Sequence, residues 1–509
     1  MKKLIIVFAL PALLMTGCGK SFFDINSNPD VPTTTSITPD LILPAAMART
    51  GTITTNNATN NSVATLGAWM GYWAVGTNFG AVTENRYSMT TDFGNPNWVN
   101  NYDIIFDYHT MQQKAEASGQ EFYAGIAKIM KSLHYQILVD LFNNVPYSKA
   151  MDVKKNITPA YDKGEDIYKD LLKQITDGIT LIKNADASKN IGLTNADVMF
   201  HGNKAQWARF GNTLKLRLLI HLSQVQGFNP ATEIAAINAE GSGYLGAGQT
   251  AAVNPGYTSD KPNPYWTAYA FTLSGNYSQD YRRANNFALN LMKGLNDERH
   301  KYFYRPVRGG TFAGQYRGID FGLNNDPAHI YTETNLSDIG GAPTTAGGTS
   351  GLAKSATMDS WVLTAFESYF LQAEAAARGW ITGNAKNLYE DGVRESFSWL
   401  GVPNAVATAN TYLGNADAKI AWPAAPADQI KVIIWQKYFA FNGNNHLESW
   451  NDYRRTGVVQ PSISIDPGRL TDHVPTRYLY ATSEFSYNAA NVQAEGTIDP
   501  YTTTVFWDR

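Results

Sequence analysis

The most regular feature of the chain is a series of segments in which apolar residues recur every three or four positions, the period of an α-helix that buries one face. Three of these segments follow one another between residues 122 and 225. Their stripes are Ile126, Ile129, Met130, Leu133, Ile137 and Leu141; then Ile167, Leu171, Ile175, Ile179 and Ile182; then Trp207, Phe210, Leu214, Leu218, Leu222 and Val225. The pattern predicts three long helices, the first starting at Phe122. Asp162, with Glu165 three residues later, is expected to cap the second.

Two further periodic segments lie close together, over about residues 358–380 and 385–399, across a turn of a few residues. The first carries small residues that allow a neighbouring helix to approach closely, namely Ala373 and Ala377. The second reproduces the small-aromatic-small spacing of a tetratricopeptide second helix, with Ala385, Tyr389 and Gly392. The pair is therefore expected to pack as a helical hairpin.

One more periodic segment, residues 430–441, supports helical stacking, and strand-like alternation is confined to short pieces such as Tyr302–Val307. We expect a mainly α protein with a tetratricopeptide-like helical scaffold, roughly over residues 100–225 and 358–455. Long irregular loop excursions and a few short strands complete this prediction. The loop-rich, ligand-facing parts are expected at roughly residues 50–98 and 241–357.

Two of the predicted loops, Thr50–Trp98 and Gly241–Tyr281, combine many Asn, Thr and Gly residues with aromatic rings. Long loops within a compact domain often carry function, and aromatic rings can stack on flat ligands. The candidate ligand-binding rings are Trp69, Tyr72, Trp73, Phe79, Tyr265, Trp266 and Tyr269. The alternative is that these rings hold the loops on the helices. A third stretch, Gly340–Gly351, is rich in Gly and Thr and is expected to be a flexible surface loop.

The first seventeen residues have the pattern of a secretion signal. Lys2 and Lys3 precede an apolar run, Leu4–Met15, which is too short to span a bilayer. Cys18, the single cysteine, follows the small residues Thr16 and Gly17 in a pattern that resembles a bacterial lipobox. We therefore expect a lipoprotein signal peptide over residues 1–17, a lipid anchor such as palmitate on Cys18, and a tether over residues 18–40.

Composition narrows the function classes. The chain is 44% hydrophobic and 17% charged, and loss of the two lysines in the leader changes its formal charge from −3 to −5, so nucleic acid is not an expected partner. We find no HExxH, GxSxG, P-loop or CxxC motif, and therefore expect no catalytic residues and no cofactor. Asp24–Asn28 begins like a calcium loop, but Pro29 and Thr35 stand where glycine and a bidentate glutamate are required, so no metal is expected.

Six segments spread over the chain carry a resemblance to a known family. They are Phe23–Asp30, Val139–Ser148, Trp207–Arg217, Phe370–Gly379, Glu448–Gly457 and Val474–Arg477. Their order and spacing resemble the SusD/RagB family of outer-membrane nutrient-binding lipoproteins. The resemblance implies one SusD-like domain over residues 41–509, a lipid tether exposed at the cell surface, and a SusC-like TonB-dependent transporter as partner. It also implies buried ion pairs between helices, made by Arg217, Glu374, Glu448, Arg454 and Arg455.

Several functions remain open at this level. The first is capture of a glycan, an oligosaccharide or polysaccharide, for the transporter, without catalysis. The second is capture of oligopeptides, which the RagB side of the resemblance implies. A scaffold that binds only proteins is less favoured because the loops are rich in aromatic residues. A secreted glycoside hydrolase is also less favoured, since no acidic pair stands in a recognisable motif.

Overall fold

A computed structural model describes residues 37–55, 63–76, 83–278, 281–323, 335–341 and 350–509. The predicted leader, Cys18, most of the tether and the calcium-like segment lie outside these residues, as does Phe79. Eighteen α-helices occur in the described residues: α1 Pro39–Thr54, α2 Val63–Trp69, α3 Asn95–Ser118, α4 Glu121–Phe142, α5 Gly164–Asn184, α6 Leu193–Ala196, α7 Lys204–His221, α8 Ala231–Glu240, α9 Pro264–Tyr269, α10 Asn286–Gly294, α11 His300–Phe303, α12 Ala365–Ala377, α13 Ala385–Leu400, α14 Ala405–Leu413, α15 Pro426–Ala440, α16 His446–Thr456, α17 Thr482–Tyr487 and α18 Ala489–Ala494. The mainly α fold class is confirmed.

Strands are short and pair only in twos within the described part of the chain. They are β1 Trp73–Val75, β2 Val145–Pro146, β3 Tyr161–Asp162, β4 Ala251–Val253, β5 Arg282–Ala284 and β6 Ser360–Leu363. All three pairs, β1 with β5, β2 with β3 and β4 with β6, are antiparallel. The β1–β5 and β4–β6 ladders join parts of the chain that are more than 100 residues apart in sequence.

The helices stack in a row in which each packs on the next: α3 on α4, α4 on α5, α5 on α7, α7 on α12, and α12 on both α13 and α15. Helix α4 lies between two neighbours, and most of its side chains are buried. Its closest approach to α5 is between two glycines. A Cβ on Gly125 would lie 2.6 Å from the carbonyl oxygen of Gly178. The packing of α4 on α5 therefore requires two residues without side chains at this crossing, in addition to the apolar stripes.

The predicted helical hairpin forms from α12 and α13, and its small residues lie where the two helices pack. Ala373 is fully buried, and a Cβ on Gly392 would lie 2.9 Å from the ring of Phe370 on α12. The Tyr389 hydroxyl donates a hydrogen bond of 2.7 Å to the Ile420 carbonyl, which ties α13 to the following segment. Helix α12 begins later than predicted, at Ala365 instead of near Met358, because Ser360–Leu363 pairs with β4.

The prediction of an irregular excursion from Thr50 to Trp98 is wrong in part. Helix α1 extends to Thr54, and α2 and β1 follow it within the predicted loop. Glycine and threonine weaken helix propensity, but tertiary contacts compensate here. A Cβ on Gly51 would lie 2.4 Å from a methyl group of Val253 on β4, so this part of α1 is held tightly against the β4–β6 pair.

Two local predictions also fail. Asp162 does not cap α5; it lies in β3 and accepts hydrogen bonds from the backbone N–H groups of Tyr147 at 3.0 Å and Ser148 at 2.9 Å. The residue before α5, Lys163, makes no side-chain cap. The predicted strand at Tyr302–Val307 begins inside helix α11. At Asp162 a contact with another chain segment decides the local structure.

The predicted buried charges form ion pairs between helices, with one exception. Arg455 on α16 contacts Glu374 on α12 at 2.6 Å, and Arg217 on α7 contacts Glu367 at 2.6 Å. Arg454 instead donates to two backbone carbonyls, and its guanidinium lies 3.6 Å from the ring centroid of Trp450. Burial of a guanidinium requires partners, and carbonyl groups with an aromatic face serve here in place of a carboxylate.

Candidate ligand-binding cleft

The three candidate rings near the N-terminus lie in the core. Trp69, Tyr72 and Trp73 are each 0% exposed. Trp69 stacks on Phe93 with ring centroids 5.6 Å apart, and Tyr72 stacks on Tyr438 at 4.6 Å. Their ring faces are therefore covered by protein.

The three described rings of the second cluster are covered as well. Tyr265 and Tyr269 are fully buried, and Trp266 is 4% exposed. Tyr269 packs against Trp73, with ring centroids 5.2 Å apart, so the two predicted loops meet through their aromatic residues. In this structure the six rings hold the loops on the helices, as the alternative interpretation predicted. A stacking role for them stays a prediction that would require the rings to leave the core.

A wide cleft lies instead between the end of α13 and the two segments that flank the β4–β6 pair. Its volume is about 570 Å³. Half of the residues around it are polar or charged, and the lining residues are Gly248, Thr250, Ala252, Leu352, Lys354, Ser355, Met358, Asp359, Trp361, Glu395, Ser398 and Trp399. A concave site of this size, with polar groups beside aromatic and aliphatic ones, can bind a small polar ligand.

Trp399 supplies the aromatic surface of the cleft. It lies in the last turn of α13, one residue before Leu400, and is half-buried. The ring packs edge-on against Trp361 at 5.3 Å and Phe366 at 5.5 Å between centroids. The indole is thus fixed on one side while another part of it lines the cavity.

Lys354 and Glu395 give the cleft its charge. The Lys354 ammonium lies 4.8 Å from the Trp399 ring centroid and also donates to the Trp399 carbonyl. Glu395 accepts one hydrogen bond, from the Gly248 N–H at 3.0 Å. Burial lowers the pKa of Lys354 and raises the pKa of Glu395, so both charged forms are incompletely solvated. A hydroxyl-rich ligand would provide the missing hydrogen bonds.

Sequence reasoning placed Trp399 on a helix but did not assign it to the site. One signal was present. The buried stripe of α13 includes Tyr389, Val393 and Phe397, while Glu395 and Trp399 lie four residues apart on its flank. A tryptophan outside the apolar stripe is a candidate for function. The contacts with residues 248–252 and 352–359 are long-range and could not be predicted from periodicity.

A separate buried cluster, Asp140, His221 and Glu448, has the ligand types of a metal site. Nε2 of His221 lies 2.9 Å from a Glu448 oxygen. Burial alone would lower the pKa of His221, but the carboxylates of Glu448 and Asp140 raise that pKa to about 9. The cluster acts as a hydrogen-bonded ion network that joins α4, α7 and α16.

The sequence matches a family model described as starch-binding and associating with the outer membrane, SusD-like, over residues 32–481. The chain belongs to the SusD-like family. The resemblance given by the six sequence segments is confirmed. No curated protein sequence matches. Across the described residues, every helix falls short of the combined length and apolar character needed to cross a bilayer.

Solved structures share the SusD-like fold over nearly the whole chain. A SusD homologue from Bacteroides fragilis superposes with a TM-score of 0.72 at 22% sequence identity, covering 92% of this chain and 99% of that one. A SusD homologue from Bacteroides uniformis gives 0.71 at 23% identity, with coverage of 92% and 99%. A SusD homologue from Flavobacterium johnsoniae, described as chitin-binding, gives 0.72 at 23% identity, with coverage of 91% and 98%.

Proposed function

We propose that this SusD-like protein is a non-catalytic surface lipoprotein, anchored in the outer membrane through Cys18, that captures a glycan and delivers it to a SusC-like TonB-dependent transporter. The family description and the chitin-binding relative support a carbohydrate ligand. The observation that carries the proposal for this chain is the cleft of about 570 Å³ in which the half-buried Trp399 ring stands beside incompletely solvated charges.

In this proposal the Trp399 ring covers the apolar face of one sugar, and Lys354, Asp359 and Glu395 exchange hydrogen bonds with its hydroxyl groups. One ring contact contributes only about 1 kcal/mol beyond the area it buries. A single cleft should therefore bind with modest affinity, which suits a protein that must release its ligand to a transporter.

The groups in the cleft are also compatible with the competing functions, peptide capture and sugar hydrolysis. Charges of both signs could hold the termini of an oligopeptide, and the two carboxylates Asp359 and Glu395 line the same cavity. A binding assay must therefore include peptides, and every ligand must be recovered and checked for cleavage.

The test is a thermal-shift screen of the mature protein, starting after Cys18, against chito-, malto- and other oligosaccharides and against mixed oligopeptides. A ligand at a hundred times its dissociation constant stabilises the folded state by about 2.7 kcal/mol, which is detectable. Stabilisation by an intact oligosaccharide supports glycan capture. Stabilisation by peptides alone supports the oligopeptide function, and a cleaved sugar contradicts the non-catalytic assignment.

Site assignment is tested with Trp399→Ala, compared with Trp380→Ala, which removes a half-buried tryptophan outside the cleft. The first change should weaken binding of the ligand found in the screen by up to about tenfold. The second should leave affinity unchanged. Equal affinity in both variants would place the binding site elsewhere.

The anchor is tested separately. Cys18→Ser should abolish incorporation of labelled palmitate and move the protein from the membrane fraction to the soluble fraction. Retention of the serine variant in the membrane would contradict the lipid anchor while leaving glycan capture open.

A further inference from the structure

A second cavity lies among α3, α4, α5 and the segment after β2, built from residues that the cleft does not share. Its volume is about 260 Å³. The lining includes three groups that carry or can carry positive charge, His109, Lys128 and Lys131, with two tyrosines, Tyr135 and Tyr147. This basic cavity is unusual in a chain whose formal charge is −3.

Two donors of the basic cavity have no hydrogen-bond partner in the described chain. The Tyr135 side chain is only 4% exposed, and its ring packs edge-on against Tyr147 at 4.6 Å, but nothing described accepts from its hydroxyl. The half-buried Lys131 ammonium makes no ion pair with any described carboxylate. Neither donor atom is sealed from solvent, so both can donate to an external acceptor in the basic cavity.

The carboxylates nearby are already engaged. Asp152 lines the basic cavity but forms an ion pair with Lys155 at 2.9 Å. Asp170 accepts from the Tyr147 hydroxyl and from Gln174 at 3.3 Å. Lys128 donates to the Gln174 amide oxygen at 2.7 Å, so its positive charge is not matched by a carboxylate. Among the residues that line the basic cavity, the two lysines outnumber the single carboxylate, Asp152.

We propose that the basic cavity binds a small oxyanion, held by the Lys131 ammonium and the Tyr135 hydroxyl, with Lys128 adding positive charge. The anionic group could be a free sulfate or phosphate, or the sulfate or carboxylate of an acidic sugar. Burial lowers the pKa of Lys131 to about 8, with Lys128 adding repulsion, and a bound anion would reverse both effects. Charge-assisted hydrogen bonds of this kind are among the stronger polar contacts in proteins.

The experiment is calorimetric titration of the mature protein in chloride buffer with sodium sulfate, sodium phosphate, glucuronate and galactose 6-sulfate. Lys131→Met removes the charge at similar length, and Tyr135→Phe removes only the hydroxyl. The matched control is Lys173→Met, an exposed lysine of α5 that pairs with Asp177 at the surface. We expect at least tenfold weaker binding in the first variant, about threefold or more in the second, and no change in the control.

Binding of the inorganic ions assigns the basic cavity to a free anion, and binding of the two sugars alone assigns it to an acidic glycan. No saturable binding of any probe, or equal binding in Lys131→Met, overturns the proposal. Reductive methylation with ¹³C-formaldehyde gives an independent readout. One lysine resonance should move with added anion and be absent from Lys131→Met. Trp399→Ala should leave anion binding unchanged, so this inference can fail or succeed independently of the glycan proposal.

Discussion

The interior around α4, α7 and α16 and the cleft beside α13 both combine carboxylates, cations and tryptophan rings, but they complete their hydrogen bonds differently. In the interior, Asp140 accepts from the side chains of Gln136, Tyr168, Asn451 and Trp507. In the cleft, Glu395 accepts one bond from a backbone N–H and has no ion pair with a described residue. Saturated charges hold helices together, whereas a charge with unused capacity beside a cavity can exchange water for a ligand.

The largest expected effect comes from a ring on the interior side. Trp73→Ala should destabilise the folded state by about 3–5 kcal/mol, because it removes a fully buried indole. Trp399→Ala should cost clearly less, since Trp399 is half-buried. Urea denaturation measures both. A Trp73→Ala protein with wild-type stability and reduced ligand affinity would return Trp73 to the list of ligand contacts.

Loss of a buried ion pair should lower the stability of the folded state almost as much as loss of the Trp73 ring. Arg455→Met removes one of the two cations that pair with each of the buried carboxylates Glu374 and Asp452, and should cost about 3 kcal/mol in unfolding free energy. Arg378 stays beside Glu374 at 2.7 Å and Lys437 beside Asp452 at 3.0 Å, so the cost falls at the low end for a broken buried pair. The double change Glu374→Met with Arg455→Met should cost less, because Glu374 then no longer buries a charge with Arg378 as its single remaining cation. Arg469→Met, at an exposed pair with Asp472, should change stability by less than about 1 kcal/mol. Similar losses at the buried and exposed arginines would remove the distinction between interior and surface charges.

The pH dependence of stability tests the His221 network. The folded-state pKa of about 9 lies above the ordinary value of 6.5, so protonated His221 stabilises the fold fully below pH 6.5. That contribution, roughly 3 kcal/mol, is lost as pH rises through 9. Unfolding free energies measured by urea between pH 6 and 10 should fall for the wild type and fall less for His221→Gln. Parallel curves would mean that His221 is neutral in the folded protein.

The smallest effect concerns helix spacing. Gly125→Ala places a methyl group against the backbone of α5 and should cost about 1–3 kcal/mol, because neither helix can move alone. Gly294→Ala at the end of α10 meets no atom within 4 Å and should be neutral or stabilising by up to about 1 kcal/mol. Thermal unfolding compares the two. If both changes are neutral, the α4–α5 crossing is not close-packed.

Sequence patterns predicted the parts of the molecule in which local and long-range preferences agree. The stripe from Ile126 to Leu141 places α4 correctly because one face of a long helix must be buried. Asp162 looks like a helix cap but instead accepts from the turn that follows β2, a preference set by a contact outside its own segment. The cleft also depends on contacts between distant parts of the chain, since Trp399 lines it only where three such segments meet.

Aromatic composition did not predict which rings are exposed. Trp73 and Tyr269 lie in segments rich in polar residues, as ligand-binding rings often do, yet each covers the other. Composition reports how many rings a loop carries, whereas exposure depends on which helix the loop packs against. Position relative to the apolar stripe is the feature by which the sequence distinguishes Trp399 from these buried rings.

The donors of Asp140 also bear on the order in which the protein folds. Asn451 lies 311 positions after Asp140, and Trp507 lies 367 positions after it. Contacts between such distant residues form late, because a long stretch of chain must first be ordered. Until then Asp140 has its donors from the N-terminal half, Gln136 and Tyr168, but lacks these two from the C-terminal half. The early part of the chain therefore acquires its final stability only when the late part arrives.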